Sequence, residues 1–263
     1  MTEISPLVGP PPQEIALPHA PLHRVIAQVR FPMVAAIEQR DFIAPFQEAI
    51  REAYPVLRLE QAQNIVIGPI GVAPLKSQPA WRFAEVDQRW RVSLTPEFLA
   101  LETTAYTSRS DFLARLRQAL SALQKHVKPS LADRLGVRYI DRITGTAIAN
   151  ITGLVRQEVR GIAGTPLEGS ALHSLTESIL ELGETRLLAR WGKLPPNGTV
   201  DPGAIEPIAE ESWILDLDMF TVEPRPFDVD RIVNEAQRFA ERLYAMFRWA
   251  VTDEFLRLYG GEV

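Results

Sequence analysis

The 263-residue sequence has no cysteine, which excludes disulfides, thiolate zinc sites, iron–sulfur ligation and a cysteine nucleophile. It has no apolar run near the roughly 20 residues needed to span a bilayer. Its first residues lack a charged segment followed by an apolar core, so a secretory leader is not expected. Together these absences lead to the expectation of a cytoplasmic protein without membrane contact. Phosphate-cradling glycine loops of the G-x-x-x-x-G-K-[ST] and G-x-G-x-x-G types are missing. So is the G-x-S-x-G elbow of serine hydrolases. Histidine is scarce, at positions 19, 23, 126 and 173. His19 and His23 are four apart, but Pro18 and Pro21 forbid the helix that would aim both at one metal. The sequence thus assigns no catalytic residue, no metal and no cofactor.

What is present is ordinary for a globular chain: 46% hydrophobic and 23% charged residues, with a net charge of -5. A mildly acidic surface argues against broad nucleic-acid binding. The 21 prolines gather at a few boundaries. Residues 1–20 read as a proline-rich, extended N-terminal arm, because proline fixes φ and removes a donor. Residues 21–263 then read as a single α+β domain, with possible structural halves at 21–130 and 131–263.

Periodicity sets the elements. A strand is expected at 22–31, and a helix at 41–54 with Phe42, Ile43, Phe46, Ile50 and Tyr54 on one face. Strands follow at 64–73 (bent at Gly68, Pro69 and Gly71), 80–86, 90–94 and 98–106. Ser108 to Asp111 has capping-box character before a helix ending near His126. In the second half, strands are expected at 135–143, 172–182, 185–191 and 212–220, with a short helix or turn region at 151–159. A proline- and glycine-rich loop covers 192–211. The longest helix is expected at 229–251, followed by a short turn capped by Thr252. Both halves thus read β-α-β-β-β-α. A tandem repeat of that unit would join into one curved, mostly antiparallel sheet with long helices packed on it.

Candidate chemistry rests on a few polar positions. Asp216 and Asp218 are two apart on a strand, so they share a face. Paired carboxylates can bind a divalent cation or act as acid and base. Arg138 and Arg142, on one face of the 135–143 strand, can neutralise them instead, as can Arg186 and Arg190. That structural pairing outweighs catalysis. Arg138, Tyr139, Asp141 and Arg142 form a dense polar run, and two arginines on one face can hold a carboxylate or phosphate. With Glu102 from the matching strand of the first half, Arg138, Tyr139, Asp141, Arg142, Asp216 and Asp218 make up a candidate polar seam or ligand site. Arg109, Arg115, Arg117, Lys125 and Lys128 give one helix a basic face, whose default is solvation.

Four stretches carry a resemblance to a known family: Val25 to Pro32 (VIAQVRFP), Leu135 to Ile143 (LGVRYIDRI), Leu215 to Phe220 (LDLDMF) and the final FRWAVTDEFLRLYG. They resemble a sporadically distributed family of uncharacterised prokaryotic proteins of about this length, over nearly the whole chain after residue 18. Asparagine is usual in that family where this chain has Asp141. The resemblance implies a stand-alone cytoplasmic protein and carries no established activity. The expected function is a non-enzymatic binding or accessory protein for a protein partner or small ligand, with a homodimer possible. The alternatives are an enzyme with a divalent metal at Asp216 and Asp218, and a nucleic-acid-associated regulator.

Overall fold

The computed structural model describes residues 5–62, 65–68, 71–74 and 78–263. The fold is α+β, with long helices and a large antiparallel sheet. In chain order the elements are β1 (Leu22–Arg30), α1 (Arg40–Ile50), β2 (Val56–Ala62), β3 (Ile65–Gly68), β4 (Gly71–Pro74), β5 (Gln78–Ala84), β6 (Trp90–Leu94), β7 (Phe98–Thr103) and α2 (Arg109–His126). There follow β8 (Leu131–Ala132), β9 (Arg134–Ile143), α3 (Ile151–Leu154), β10 (Ser174–Leu182), β11 (Thr185–Leu194), β12 (Ser212–Thr221), β13 (Arg225–Pro226), α4 (Val229–Ala250) and α5 (Asp253–Leu258). The chain forms two compact units, each made of non-contiguous segments.

One unit comprises residues 25–137 and 221–237. Its strands run in the order β1-β7-β6-β5-β2, with antiparallel neighbours throughout. Alternation along β1 buries Val25, Ala27 and Val29 completely. The helices supply matching apolar stripes: Ile43, Phe46 and Ile50 of α1, and Phe112, Leu116, Leu120 and Leu123 of α2. Phe46 meets Phe83 edge-on at 5.4 Å. Helix α2 begins as its sequence dictates, with the Ser108 side chain accepting from the Asp111 amide. Two readings of this region change. The expected bent strand 64–73 is instead two short antiparallel strands, β3 and β4, with Gly68 opposite Gly71; Asn64 and Pro69 lie outside the described residues. Helix α1 ends at Ile50, one turn before the stop at Pro55.

The other unit comprises residues 1–24, 138–220 and 238–263. Its strand order is β10-β11-β12-β9. The β10–β11 hairpin turns at Gly183-Glu184, with the positive φ (63°) falling on Gly183 as a II′-type turn requires. One face of β11 and β12 buries Leu187, Ala189, Trp191, Trp213, Leu215, Leu217 and Met219. The apolar stripe of α4 in this unit, Phe239, Ala240, Leu243 and Met246, is buried as well. Thr252 caps α5, accepting from the Phe255 amide.

Gly192 is the tightest point of the hairpin. It has a φ of +143°, and a Cβ there would sit 2.0 Å from the Ser174 carbonyl oxygen. Side chain and backbone conformation are both forbidden, so Gly192→Ala is expected to destabilise the protein by more than about 1 kcal/mol. A lowered urea-unfolding midpoint would show it, and an unchanged midpoint would refute it.

Candidate functional site

Strand alternation decides what the polar run of β9 can do. Even-numbered side chains, Arg138 and Arg142, leave the opposite face from Tyr139 and Asp141. On the even face Arg138 grips Asp216 of β12 with two parallel hydrogen bonds, Nε to Oδ1 at 2.7 Å and Nη2 to Oδ2 at 2.8 Å. Arg190 of β11 adds donors from Nε at 3.0 Å and Nη2 at 2.8 Å, both to Oδ2. Asp216 is therefore surrounded by guanidinium donors, at 1% exposure. The third arm of Arg138 reaches Asp201 in the 195–211 loop, Nη1 to Oδ2 at 2.6 Å. Burial opposes the charge on Arg138, but Asp216 and Asp201 outweigh it and hold the group protonated above its usual range. A carboxylate engaged in this way has little capacity left to bind a cation or take a proton.

Four residues along, Arg142 meets a different set of partners. Its Nε donates to Ser212 Oγ at 3.2 Å and its Nη1 to the Glu206 main-chain oxygen at 2.7 Å. Its Nη2 is buried and finds no acceptor among the described residues. Burial lowers the Arg142 pKa, with Glu206 and Glu210 countering. The Glu206 carboxylate itself faces β1, where it accepts from His23 Nε2 at 3.0 Å and from Arg24 Nη2. The hydrogen bond from His23 is the main reason its pKa falls to about 2; Arg24 adds to the effect and partial burial opposes it. Arg24 also donates from Nη1 to the Gly203 carbonyl at 3.3 Å. The 195–211 loop is thus fastened by three arginines, from β1 and β9, and by its own buried Ala204 and Ile205.

The contacts Arg138–Asp216 and Arg142–Ser212 obey one antiparallel register. Strand alternation puts Asp141 of β9 and Trp213 of the neighbouring β12 together on the opposite face. Asp141 is 7% exposed and receives no hydrogen bond among the described residues. Burial alone pushes its pKa up to about 7. The Trp213 Nε1 is also buried and without an acceptor there.

The expected seam is therefore divided. Arg138, Arg142 and Asp216 come together, and Asp218, half-buried, shares their face. Tyr139 and Asp141 belong to the other face. Glu102 lies in the other unit, where Arg91 Nε donates to it at 2.5 Å and Arg82 lies 3.9 Å away. Of the two arginines suggested from β11, Arg190 holds Asp216, whereas Arg186 lies 3.7 Å from Glu181 of β10. Sequence reasoning does not find Arg24, His23, Asp201 or Glu206, because a proline- and glycine-rich loop has no period to reveal which strand it lies on. Among the described residues no three His, Cys, Asp or Glu side chains converge as metal ligands would. No protein-family model, curated protein or solved structure matches this chain.

Proposed function

We propose that the chain is a non-enzymatic binding protein that holds an anionic group, carboxylate or phosphate, of a small ligand or protein partner. The observation that carries this reading is Arg142: a buried guanidinium that, among the described residues, pairs with no carboxylate and leaves its Nη2 amino group unspent, beside a loop attached through exchangeable ionic contacts. An incoming anion reaches that buried group when the 195–211 loop yields, and it then gains charge-assisted donors from a guanidinium that no carboxylate already holds. The metal-enzyme alternative is weakened by the engagement of Asp216. The nucleic-acid alternative is weakened by the basic helix, where Arg115 pairs with Glu85 and Asp111, and Arg117 with Asp230. A duplicated β-α-β-β-β-α unit in one curved sheet, a homodimer and a cytoplasmic prokaryotic setting belong to the same proposal; they rest on element order and motif resemblance.

The test is thermal unfolding in phosphate, pyrophosphate or citrate at constant ionic strength, against chloride. A ligand that binds the folded state raises Tm with its concentration. A saturable rise that Arg142→Gln abolishes is expected. No rise at millimolar concentrations of all three anions would reject the proposal.

A further inference from the structure

Glu206 meets both cationic parts of the Arg142 site at once. Its main-chain carbonyl oxygen accepts from Arg142 Nη1 at 2.7 Å. Its carboxylate accepts from His23 Nε2 at 3.0 Å and from Arg24 Nη2. All four residues belong to one unit. The two arginines are fixtures of the sheet: Arg142 is buried, and the Arg24 side chain is 7% exposed. The acid comes from the solvent side, with its side chain 53% exposed.

The segment that carries Glu206 is short. Ile205 and Ser212 are fully buried, and between them Glu206, Pro207, Ala209 and Glu210 are exposed. Two further contacts fasten it: the Asn197 amide donates to the Ile208 carbonyl at 2.6 Å, and Lys193 Nζ lies 2.7 Å from Glu211. The Glu206 carbonyl cannot turn away alone. A peptide flip rotates ψ of one residue against φ of the next, and the next residue is Pro207, whose ring fixes φ. Glu206 therefore leaves as a whole. An anion that reaches Arg142 also strips His23 and Arg24 of the carboxylate they hold. One anionic group on Arg142 would leave that second loss unanswered, at the cost of a buried charge without its carboxylate. A ligand that answers both losses has acceptor oxygens at two ends, as far apart as those of Glu206 itself. From carbonyl carbon to carboxylate carbon, a glutamate residue has the carbon skeleton of glutarate.

We infer that the ligand of this site is a small dicarboxylate of glutarate length, with one carboxylate on Arg142 and the other on His23 and Arg24. The inference rests on the anion-binding reading above and narrows it to two carboxylates in one molecule. Segment 206–211 is then the lid of the site, and Glu206 is the group that the ligand outcompetes. The advantage of the ligand lies at Arg142. A carboxylate there brings a full charge where Glu206 offers a carbonyl. It also takes a second donor, Nη2, which has no acceptor among the described residues.

The test is isothermal titration calorimetry on the full-length chain with glutarate, acetate, malonate and phosphate at constant pH and ionic strength. Acetate has one carboxylate, and malonate has two that are too close together. Glutarate should bind at least about tenfold tighter than either, the worth of one charge-assisted hydrogen bond. Glu206→Gln weakens the competing group and should tighten glutarate further. Arg24→Gln should bring glutarate down to the level of acetate; His23→Gln, at a partly exposed position, serves if Arg24→Gln does not fold. Hydrogen exchange reads the lid directly: amides of residues 208–211 and of Asn197 should exchange faster with glutarate bound. Acetate or phosphate binding that needs Arg142, with glutarate no tighter than acetate, overturns the inference and leaves anion binding standing. Binding by none of the four overturns both. Unchanged exchange at 208–211 under saturating glutarate also overturns the inference, because Glu206 has then not been replaced.

Discussion

Asp141→Asn should stabilise the protein at pH 8 and leave it nearly unchanged at pH 4. Burial raises the Asp141 carboxyl from 3.8 to about 7 in the folded chain. This is the reverse of the usual carboxylate case. Between about pH 4 and pH 7 the folded state keeps a proton that the unfolded state has released. Stability contributed by this group therefore falls as pH rises through that window, and it stays at the lower level above it. A displacement from 3.8 to about 7 corresponds to about 4 kcal/mol at most. Asparagine has the same shape and no charge to desolvate, so it removes the penalty, less whatever a buried, unsatisfied amide costs. Urea-unfolding free energies of both proteins at several pH values give the answer: the two curves should separate between pH 4 and pH 7. Parallel curves would show that Asp141 ionises without cost. The Tyr259 phenol supplies a second readout. Its pKa is raised first by burial and then by the Asp141 charge, so it should move down in the variant.

The second large effect lies on the opposite face. Asp216→Ala leaves the guanidinium groups of Arg138 and Arg190 buried without the carboxylate they share. Breaking a buried ion pair from one side costs about 3–5 kcal/mol, because an uncompensated charge remains. Chemical denaturation should show a loss of that order. Removing the whole constellation is different. A combined Arg138→Met, Asp216→Leu, Arg190→Met chain should recover much of the loss, since apolar replacements of similar volume avoid the desolvation penalty. A loss below about 1 kcal/mol for Asp216→Ala would mean that solvent already screens these charges.

Sequence periodicity and geometry contributed different parts of this picture. Strand β12 and helices α2 and α4 are legible because their apolar positions repeat at two and about 3.6 residues, and Ser108 and Thr252 mark two helix starts. Strand β2 is not: Val56–Ala62 mixes Arg58, Glu60 and Gln61 into the run, which hides its alternation. The pairing of Asp216 with Arg138 and Arg190 is legible in kind, since an aspartate within a strand calls for a cationic neighbour. The isolation of Asp141 is partly legible. Alternation separates it from Arg138 and Arg142, but only strand order shows that the odd-numbered face of β12, with no charge to offer, lies beside it. Asp201 and Glu206 are illegible, because each meets a strand 63 or more residues away through a loop without regular backbone.

The interleaving of the two units bears on how the chain is made. The unit built on residues 25–137 still needs residues 221–237, and the other takes residues 1–24, 138–220 and 238–263. Helix α4 (Val229–Ala250) supplies the last piece of the first and part of the second. Neither unit is complete until segments far downstream of its first strands, 221–237 for one and 238–263 for the other, have been made, so the early strands wait with apolar surface uncovered. Contacts between such distant segments slow folding and lengthen the time that apolar surface stays open to aggregation, compared with a chain whose units are contiguous.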